Sequence, residues 1–278
     1  MKSRPRVGLI GFGKTGRAVA SVLLESKQTV LQWVLRRSTQ LDHRSVSEYL
    51  GIHSNEPGLI HSTQDLDFER LLDDSPVDVI VDFSSSTGLE LYGKAATQRG
   101  ITVVNAISSY ESDRVELLKQ IGRRTKVMYS PNITLGINFL ILAAKVLKNI
   151  APCTDIEIIE EHFKSKPEVS GTAKIIARNL DVEVESIKTV RAGGIIGVHE
   201  ILFGFPYQTV RLKHESITRE AFGNGVLFAI ENLADRAVGF YTMEDLMLPY
   251  FQIEKLPQHF LFHRSDASLE SPEGSLKR

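Results

Sequence analysis

The chain has a single cysteine, Cys153, among its 278 residues. One thiol cannot form an intramolecular disulfide or a cysteine-cluster metal site, and its scarcity suits a reducing compartment such as the cytoplasm. The eight histidines are scattered, and no two have a spacing typical of zinc ligands. The sequence therefore predicts a cytoplasmic protein without a metal site.

The sequence also lacks an excess of one charge and any long apolar run. The formal net charge is −1 and no long basic run occurs, so nothing favours binding to nucleic acid or to an anionic membrane. No apolar run approaches the roughly 18 residues that span a bilayer, and no signal peptide is recognised before Arg6. The length predicts two domains or one large one.

A glycine-rich turn follows the first apolar run. The predicted strand 6–11 leads into Gly11, Gly13 and Gly16, and a helix is predicted over 18–25. Glycines at this spacing allow a tight turn and a close approach of the backbone to a pyrophosphate at the helix N-terminus. Because a strand precedes the turn and a helix follows it, dinucleotide binding is expected.

The second predicted strand, 29–35, ends in Arg36, Arg37 and Ser38. Sites that prefer NAD usually place an acidic residue there to hold the ribose 2′-hydroxyl. Two arginines instead suit a 2′-phosphate, which a guanidinium binds with two hydrogen bonds. NADPH is therefore the expected cofactor, with NADH possible. The alternative is that the arginines are solvated at a strand end.

The most informative segment lies in the second half of the chain. A predicted strand, 155–161, ends in His162 and is followed by Lys166, then by Ser170 and Thr172 at the start of a predicted helix, 172–179. Free N–H groups at a helix N-terminus bind anions, and the Lys and His add charge and a transferable proton. This arrangement suits a small carboxylate substrate that must be protonated. An ordinary helix cap beside solvated lysines is the alternative.

Short apolar strands alternate with amphipathic helices in the first half. Strands are predicted at 6–11, 29–35, 77–83, 101–105 and 126–130, with helices at 88–98 and 112–123. This alternation is typical of an α/β fold with a Rossmann-type doubly wound parallel sheet. Residues 39–63 are interpreted as a connection with weak helical character near 45–50.

The pattern changes after a long predicted helix at 137–150. Strands at 155–161, 182–191, 195–203 and 208–214 are joined by short turns, and a helix at 219–235 follows. Such a meander indicates a second, α+β domain with a mostly antiparallel sheet. We expect a dinucleotide-binding domain over 1–133, completed by 236–264, and a substrate-binding and oligomerisation domain over 134–235. A disordered tail is expected over 265–278.

Taken together, these motifs resemble the dihydrodipicolinate reductase family over roughly residues 7–248. The resemblance rests on five motifs in order, at 130–136, 160–172, 191–200, 212–214 and 219–225. It implies an NAD(P)H-dependent oxidoreductase that transfers a hydride to an unsaturated cyclic imine carboxylate on the diaminopimelate route to lysine. It also implies a homotetramer formed through the second domain.

The resemblance assigns site residues in three groups. His162 assists acid–base chemistry and Lys166 donates the proton, while Ser170, Gly171 and Thr172 bind a substrate carboxylate. The expected cofactor-binding residues are Gly11, Gly13, Lys14, Thr15, Gly16, Arg17, Arg36, Arg37, Ser130 and Asn132.

Departures from the family pattern cluster at the substrate end. The family's Gly-Thr-Thr-Gly loop is replaced by Asn105, Ala106, Ile107 and Ser108, and its second signature histidine is Phe163. The phosphate loop is one residue shorter, a form common in other dehydrogenases. Three hypotheses follow: a family reductase with a variant loop, a paralogue that reduces a different cyclic imine or unsaturated carboxylate, or a non-catalytic relative that binds NADPH. The retained His162 and Lys166 argue against the third.

Overall fold

The computed structural model describes residues 3–108 and 110–251. The predicted tail at 265–278, and residues 252–264 assigned to the first domain, lie outside them. The strands are β1 (Arg6–Ile10), β2 (Val30–Arg36), β3 (Leu59–Ser62), β4 (Val79–Asp82), β5 (Thr102–Asn105), β6 (Lys126–Tyr129), β7 (Asp155–His162), β8 (Lys188–Arg191), β9 (Val198–Phe205), β10 (Gln208–Glu215) and β11 (Gly239–Thr242). The helices are α1 (Lys14–Ser26), α2 (Val46–Leu50), α3 (Phe68–Asp74), α4 (Gly88–Arg99), α5 (Ser112–Ile121), α6 (Leu135–Ile150), α7 (Gly171–Leu180), α8 (Glu220–Ala234) and α9 (Met243–Met247).

Seven strands form a parallel sheet in the order β11-β6-β5-β4-β1-β2-β3. This order, in which β1 and β4 are neighbours, places the topological switch between them, as in dinucleotide-binding folds. The prediction of a doubly wound sheet is confirmed. The chain returns to this sheet at its end, because β11 pairs with β6. Within the described residues, no helix is long and apolar enough to cross a membrane.

Helices cover both faces of the first sheet. Val7 and Leu9 of β1 pack with Val19 and Leu23 of α1, whereas Ile10 faces the layer formed by α4 and α5. All four residues of β4 are buried, as expected of a central parallel strand that is covered on both sides. The alternation of side chains along each strand thus sorts the apolar residues into two cores.

One strand lies where the sequence predicted only a connection. β3 pairs in parallel with β2 and forms the outer edge of the sheet. Only Ile60 and Ser62 of this strand are buried, so its alternating pattern is too short to stand out beside the preceding Pro57 and Gly58. α3 was also not predicted; Asp67 caps it by accepting a hydrogen bond from the Arg70 N–H at 3.0 Å.

The second sheet has the order β10-β9-β7-β8. β9 is antiparallel to both β7 and β10, and only the short β8 runs parallel to β7, which agrees with the predicted mostly antiparallel sheet. A single turn of 3₁₀-helix, Val184–Ser186, takes up the first part of the strand predicted at 182–191. α6 and α7 cover one face of this sheet and share a core with it.

α8 joins the two halves of the molecule. Its buried face packs on α1 in the first core, and two glycines permit the close approach. A Cβ at Gly223 would overlap the side chain of Val22 in α1. A Cβ at Gly225 would overlap the carbonyl oxygen of Ile133, which follows β6.

The variant Gly225→Ala should therefore lower the free energy of unfolding by about 1–3 kcal/mol, since a backbone carbonyl cannot rotate away as a side chain can. Urea denaturation followed by circular dichroism measures this change. Gly194→Ala is the matched control, because nothing lies within 4 Å of a Cβ at that position. Equal stability of the two variants would contradict the close packing of α8.

Candidate functional site

Each glycine of the first turn has a different physical role. Gly11 has a φ of 100°, a conformation that favours glycine, and its N–H donates to the carbonyl of Leu35 at 2.9 Å. A Cβ at Gly16 would overlap the carbonyl oxygen of Gly11. Nothing lies within 4 Å of a Cβ position at Gly13, and no side chain caps α1. The backbone is therefore open to an anion at the helix N-terminus.

This turn forms one wall of a groove of about 560 Å³ at the carboxyl ends of the parallel strands. Arg36, Arg37 and Ser38 line one end, and Ser84 and Ser85 line the other. Arg37 is exposed, while the Arg36 guanidinium donates to the carbonyl of Gln40 at 2.8 Å. Five of the predicted cofactor residues are thus close together: Gly11, Gly13 and Gly16 in the turn, and Arg36 and Arg37 in the groove.

Lys14 and Arg17 face a different cleft. They line a space on the other side of α1, together with Ile196, Thr218 and Arg219. The Arg17 guanidinium lies 5.0 Å from the ring of Tyr49, and its Nε is buried without a hydrogen-bond partner. Thr15 is partly exposed in the first turn of α1. The structure therefore separates Lys14 and Arg17 from the arginine end of the groove.

The segment after β6 connects the two sheets. The hydroxyl of Ser130 donates to the carbonyl of Asn132 at 2.6 Å. The Asn132 side chain accepts from the Thr134 N–H at 3.1 Å and donates to the Thr172 hydroxyl at 3.0 Å. Asn132, predicted as a cofactor ligand, thus holds the first turn of α7 against the end of the first sheet.

A buried charge cluster surrounds His162 at the end of β7. Nδ1 of His162 forms a hydrogen bond with the carboxylate of Glu160, and the Arg191 guanidinium forms an ion pair with the same carboxylate at 2.6 Å. Glu160 is fully buried and His162 is 7% exposed. Both lie on the same face of β7, two residues apart, while Glu161 faces away.

The cluster shifts the pKa values of both partners. Burial alone would raise the pKa of Glu160, but hydrogen bonds from Arg191 and His162 outweigh it and hold the pKa below its ordinary value. Burial lowers the pKa of His162, and the hydrogen bond and charge of Glu160 offset only part of this effect. Glu160 is therefore the charged partner that orients the imidazole.

Lys166 lies in the turn that follows β7. Its side chain is partly buried, and its Nζ lies 5.9 Å from the centre of the Phe163 ring. The Arg191 guanidinium donates to the backbone carbonyls of Lys166 at 3.1 Å and Glu168 at 2.8 Å. Arg191 therefore links two groups: the turn that bears Lys166, and Glu160, whose carboxylate orients the His162 imidazole.

Ser170 is a buried helix cap. Its hydroxyl oxygen accepts from the Ala173 N–H at 3.0 Å and lies 2.9 Å from Nε2 of His199. Burial, reinforced by the neighbouring His162, lowers the pKa of His199 to about 3. Gly171 is exposed with open space around it. The accessible part of the predicted carboxylate cradle is therefore the backbone of the first helical turn, with the Ser170 hydroxyl behind it.

The variant loop is anchored by a buried polar network. The Asn105 amide donates to Tyr92 at 2.9 Å, to Tyr110 at 3.0 Å and to the Asp82 carboxylate at 3.2 Å. Burial raises the pKa of Asp82. Burial, and to a smaller extent the charge of the nearby Asp82 carboxylate, raises the pKa of Tyr110 to about 12. Ile107 is only 6% exposed, so its side chain presents little apolar surface to a substrate.

Four of these groups were not predicted as site residues from the sequence: Glu160, Arg191, His199 and Asp82. Because neighbouring residues of a strand face opposite sides, the sequence indicates that at most one of Glu160 and Glu161 can orient the imidazole; in the structure it is Glu160. Arg191 and His199 reach the cluster only through strand pairing, because His162 is in register with Arg191 and Glu160 with His199. No local pattern in the sequence reports such a register.

Comparisons with known proteins agree with this architecture. Two family models, described as dihydrodipicolinate reductase, N-terminus, and dihydrodipicolinate reductase, C-terminus, match residues 5–133 and 132–247. A 4-hydroxy-tetrahydrodipicolinate reductase of Caldanaerobacter subterraneus subsp. tengcongensis is 31% identical over 68% of this chain and 86% of its own. One of Thermosipho africanus is 30% identical over 67% of this chain and 86% of its own.

Solved structures share the fold. A dipicolinate-bound dihydrodipicolinate reductase of Paenisporosarcina sp. TG-14 has a TM-score of 0.71 at 21% identity, covering 87% of this chain and 99% of its own. An amine dehydrogenase of Mycobacterium smegmatis has a TM-score of 0.58 at 12% identity, covering 88% of this chain and 96% of its own. The family models together span nearly all of the described residues, and the chain belongs to the dihydrodipicolinate reductase family of nicotinamide-dependent oxidoreductases.

Proposed function

We propose that the protein is a 4-hydroxy-tetrahydrodipicolinate reductase of the diaminopimelate route to lysine. The observation that carries the proposal is the cluster at the end of β7. There, Glu160 orients the His162 imidazole, and Arg191 joins that carboxylate to the turn that bears Lys166. The cluster offers a proton donor beside the anion-binding start of α7, as reduction of an unsaturated carboxylate requires.

The groove beside the glycine turn fits a dinucleotide. Gly13 leaves its backbone accessible, and Arg36 and Arg37 place positive charge where a 2′-phosphate would lie. When bound, the nicotinamide supplies the hydride. The chain contributes the N-terminus of α1 for the pyrophosphate and a preference for NADPH over NADH through the two arginines.

A substrate carboxylate would lie at the N-terminus of α7. The first N–H groups of a helix have no partner within the helix, and Gly171 leaves the space in front of them open. Ser170 caps the helix and is backed by His199, while Asn132 holds Thr172. These contacts keep the turn rigid, so that the chain orients the substrate at little cost when it binds.

Proton transfer would use Lys166, with His162 in support. A lysine ammonium carries the proton and also stabilises the negative charge that develops as the hydride arrives. The buried Glu160 keeps the His162 ring in one orientation beside it. Ser130 and Asn132 would set the position of the two sheets rather than bind the cofactor directly, since their side chains bond to neighbouring protein groups.

The family resemblance implies a homotetramer formed through the second sheet, and the single cysteine suits the cytoplasm; both are part of the proposal. Ile107, one of the departures that favoured a paralogue with another substrate, is buried. Its replacement of a threonine therefore adds little apolar surface to the substrate side, and the lysine-pathway substrate remains the better candidate.

Lys166→Ala should lower turnover of 4-hydroxy-tetrahydrodipicolinate by about 10²–10⁴-fold, the scale expected for loss of a positioned acid, while cofactor affinity stays near normal. The gene for the unaltered chain should restore growth to a lysine auxotroph that lacks this reductase, and the Lys166→Ala gene should not.

Lys164→Ala, which changes an exposed lysine two residues away, is the control and should remain active. A failure of the unaltered chain to reduce this substrate would favour the paralogue hypothesis.

The double variant Arg36→Ala/Arg37→Ala should bind NADPH more weakly by about one to two orders of magnitude and NADH almost as before. The loss corresponds to roughly 1.5–3 kcal/mol for charge-assisted contacts to the 2′-phosphate. Fluorescence titration of both cofactors measures it. Arg44→Ala, an exposed arginine of the same connection, is the control. Equal losses for both cofactors would refute the role of these arginines.

Glu160→Gln should move the His162 inflection of the pH profile to lower pH. The carboxylate raises the pKa of His162 against the effect of burial, so its removal lets the imidazolium lose its proton at a lower pH. The dependence of kcat/KM on pH reports the shift, and Glu161→Gln on the opposite face of β7 is the control. An unchanged inflection in Glu160→Gln would show that Glu160 does not act on the imidazole.

A further inference from the structure

Three metal-ligating side chains meet at the outer edge of the first sheet, outside the catalytic cluster described above. Asp42 and His43 lie in the connection after β2, and His61 lies in the edge strand β3. One donor atom from each residue lies within 4.8 Å of the others. The rings of His43 and His61 are edge to face, with centres 5.5 Å apart.

Main-chain hydrogen bonds hold this arrangement in place. The His43 N–H donates to the carbonyl of Ile60 at 2.7 Å, and the Ile60 N–H donates to the carbonyl of Arg44 at 2.9 Å. One carboxylate oxygen of Asp42 accepts from the Ser62 N–H at 3.0 Å. The connection therefore lies along the open edge of β3, and the second carboxylate oxygen of Asp42 points toward Nε2 of His43 at 3.6 Å.

The backbone at this point is strained. Leu41 has a φ of 90° and His43 a φ of 60°, values that branched or bulky residues rarely adopt. Two such residues in three positions carry a conformational cost that surrounding interactions must offset. The two residues with positive φ lie on either side of Asp42, in the connection that carries the His43 imidazole.

The donor set determines which ions would bind. Two imidazole nitrogens and one carboxylate oxygen suit zinc and neighbouring late transition metals, whereas magnesium and calcium prefer oxygen ligands alone. In a tetrahedral zinc site the ligand atoms lie about 3.4 Å apart, close to the separation of Asp42 and His43.

We propose that Asp42, His43 and His61 form a binding site for a divalent ion of the zinc class, with water as the fourth ligand, and that the bound ion fastens the connection to β3. The exposure of His43, whose side chain is 76% accessible, leaves the site open to ions from solution. The same connection begins with Arg37, whose carbonyl is 3.5 Å from the Ser62 hydroxyl. The ion would thus stabilise the segment next to the arginine end of the groove.

The sequence alone predicted no metal site, because spacing rules look for histidines close together on one helix or turn. His43 and His61 are brought together only by the pairing of the connection with an edge strand that was itself not predicted. The proposal does not depend on the enzymatic function, because it concerns residues outside the candidate active site.

Titration of the full, untagged chain with zinc chloride by calorimetry tests the site. We expect about one ion per chain, and a rise in the thermal unfolding midpoint when zinc is present, since an ion that binds only the folded chain stabilises it. Asp42→Asn and His61→Ala should each weaken binding by about tenfold or more and abolish the rise. The asparagine can still accept from the Ser62 N–H, so the connection keeps its hydrogen bond.

His53→Ala is the matched control, because His53 is also exposed and lies before the same strand; it should bind zinc as the unaltered chain does. Absence of stoichiometric binding would overturn the proposal. Equal binding by His61→Ala would also overturn it, since the ion would then lie elsewhere, for example at the histidines of the second sheet. Binding without a change in the unfolding midpoint would refute the fastening of the connection.

Discussion

The buried carboxylate of Glu160 is the group on which the candidate catalytic cluster depends. It is fully buried, and its charge is compensated by Arg191 on one side and by a hydrogen bond from His162 on the other. Removing one partner of such a pair leaves an uncompensated buried charge, which typically costs about 3–5 kcal/mol. Because Arg191 also donates to the carbonyls of Lys166 and Glu168, this one carboxylate sets the orientation of the imidazole and the course of the turn that carries the lysine.

The cluster around His162 can act on a substrate only if it lies next to the nucleotide groove. Contacts at the end of β6 hold the two parts of the site in place. Asn132 joins this end to Thr172 at the start of α7. α8 packs closely on Val22 of α1 at Gly223 and on the Ile133 carbonyl after β6 at Gly225, because neither glycine has a side chain. The substrate-side helix and the dinucleotide turn are therefore tied to the same strand end. Enzymes that transfer hydride need such fixed geometry, since small displacements of the reacting groups cost large factors in rate.

Much of the fold could be predicted from the sequence, because strands and helices bury apolar residues at regular spacings that neighbouring residues reveal. Five of the seven parallel strands of the first sheet and the glycine turn were identifiable, as was the segment from His162 to Thr172. The edge strand β3 was not, because only Ile60 and Ser62 are buried in it. The partners of Glu160 were also hidden, since Arg191 and His199 meet it through strand register. Long-range register depends on the packing of whole elements, which no local window of sequence contains.

Two carboxyl groups are buried among the described residues, Glu160 and Asp82, and their surroundings differ in a way that indicates different roles. Glu160 is paired with a guanidinium and an imidazole, and its pKa is held low. Within the part of the chain that the structure describes, the groups that donate hydrogen bonds to Asp82 are neutral: Ser84, Tyr92 and Asn105. Burial raises the pKa of Asp82. A carboxylate that must influence a proton on an imidazole has to keep its charge, and at Glu160 the Arg191 guanidinium helps to keep it against the cost of burial. A carboxyl group that joins two strand ends needs hydrogen bonds alone. The position of Asp82 at the end of β4, where its carboxylate accepts from the Asn105 amide at the end of β5, therefore indicates a structural role.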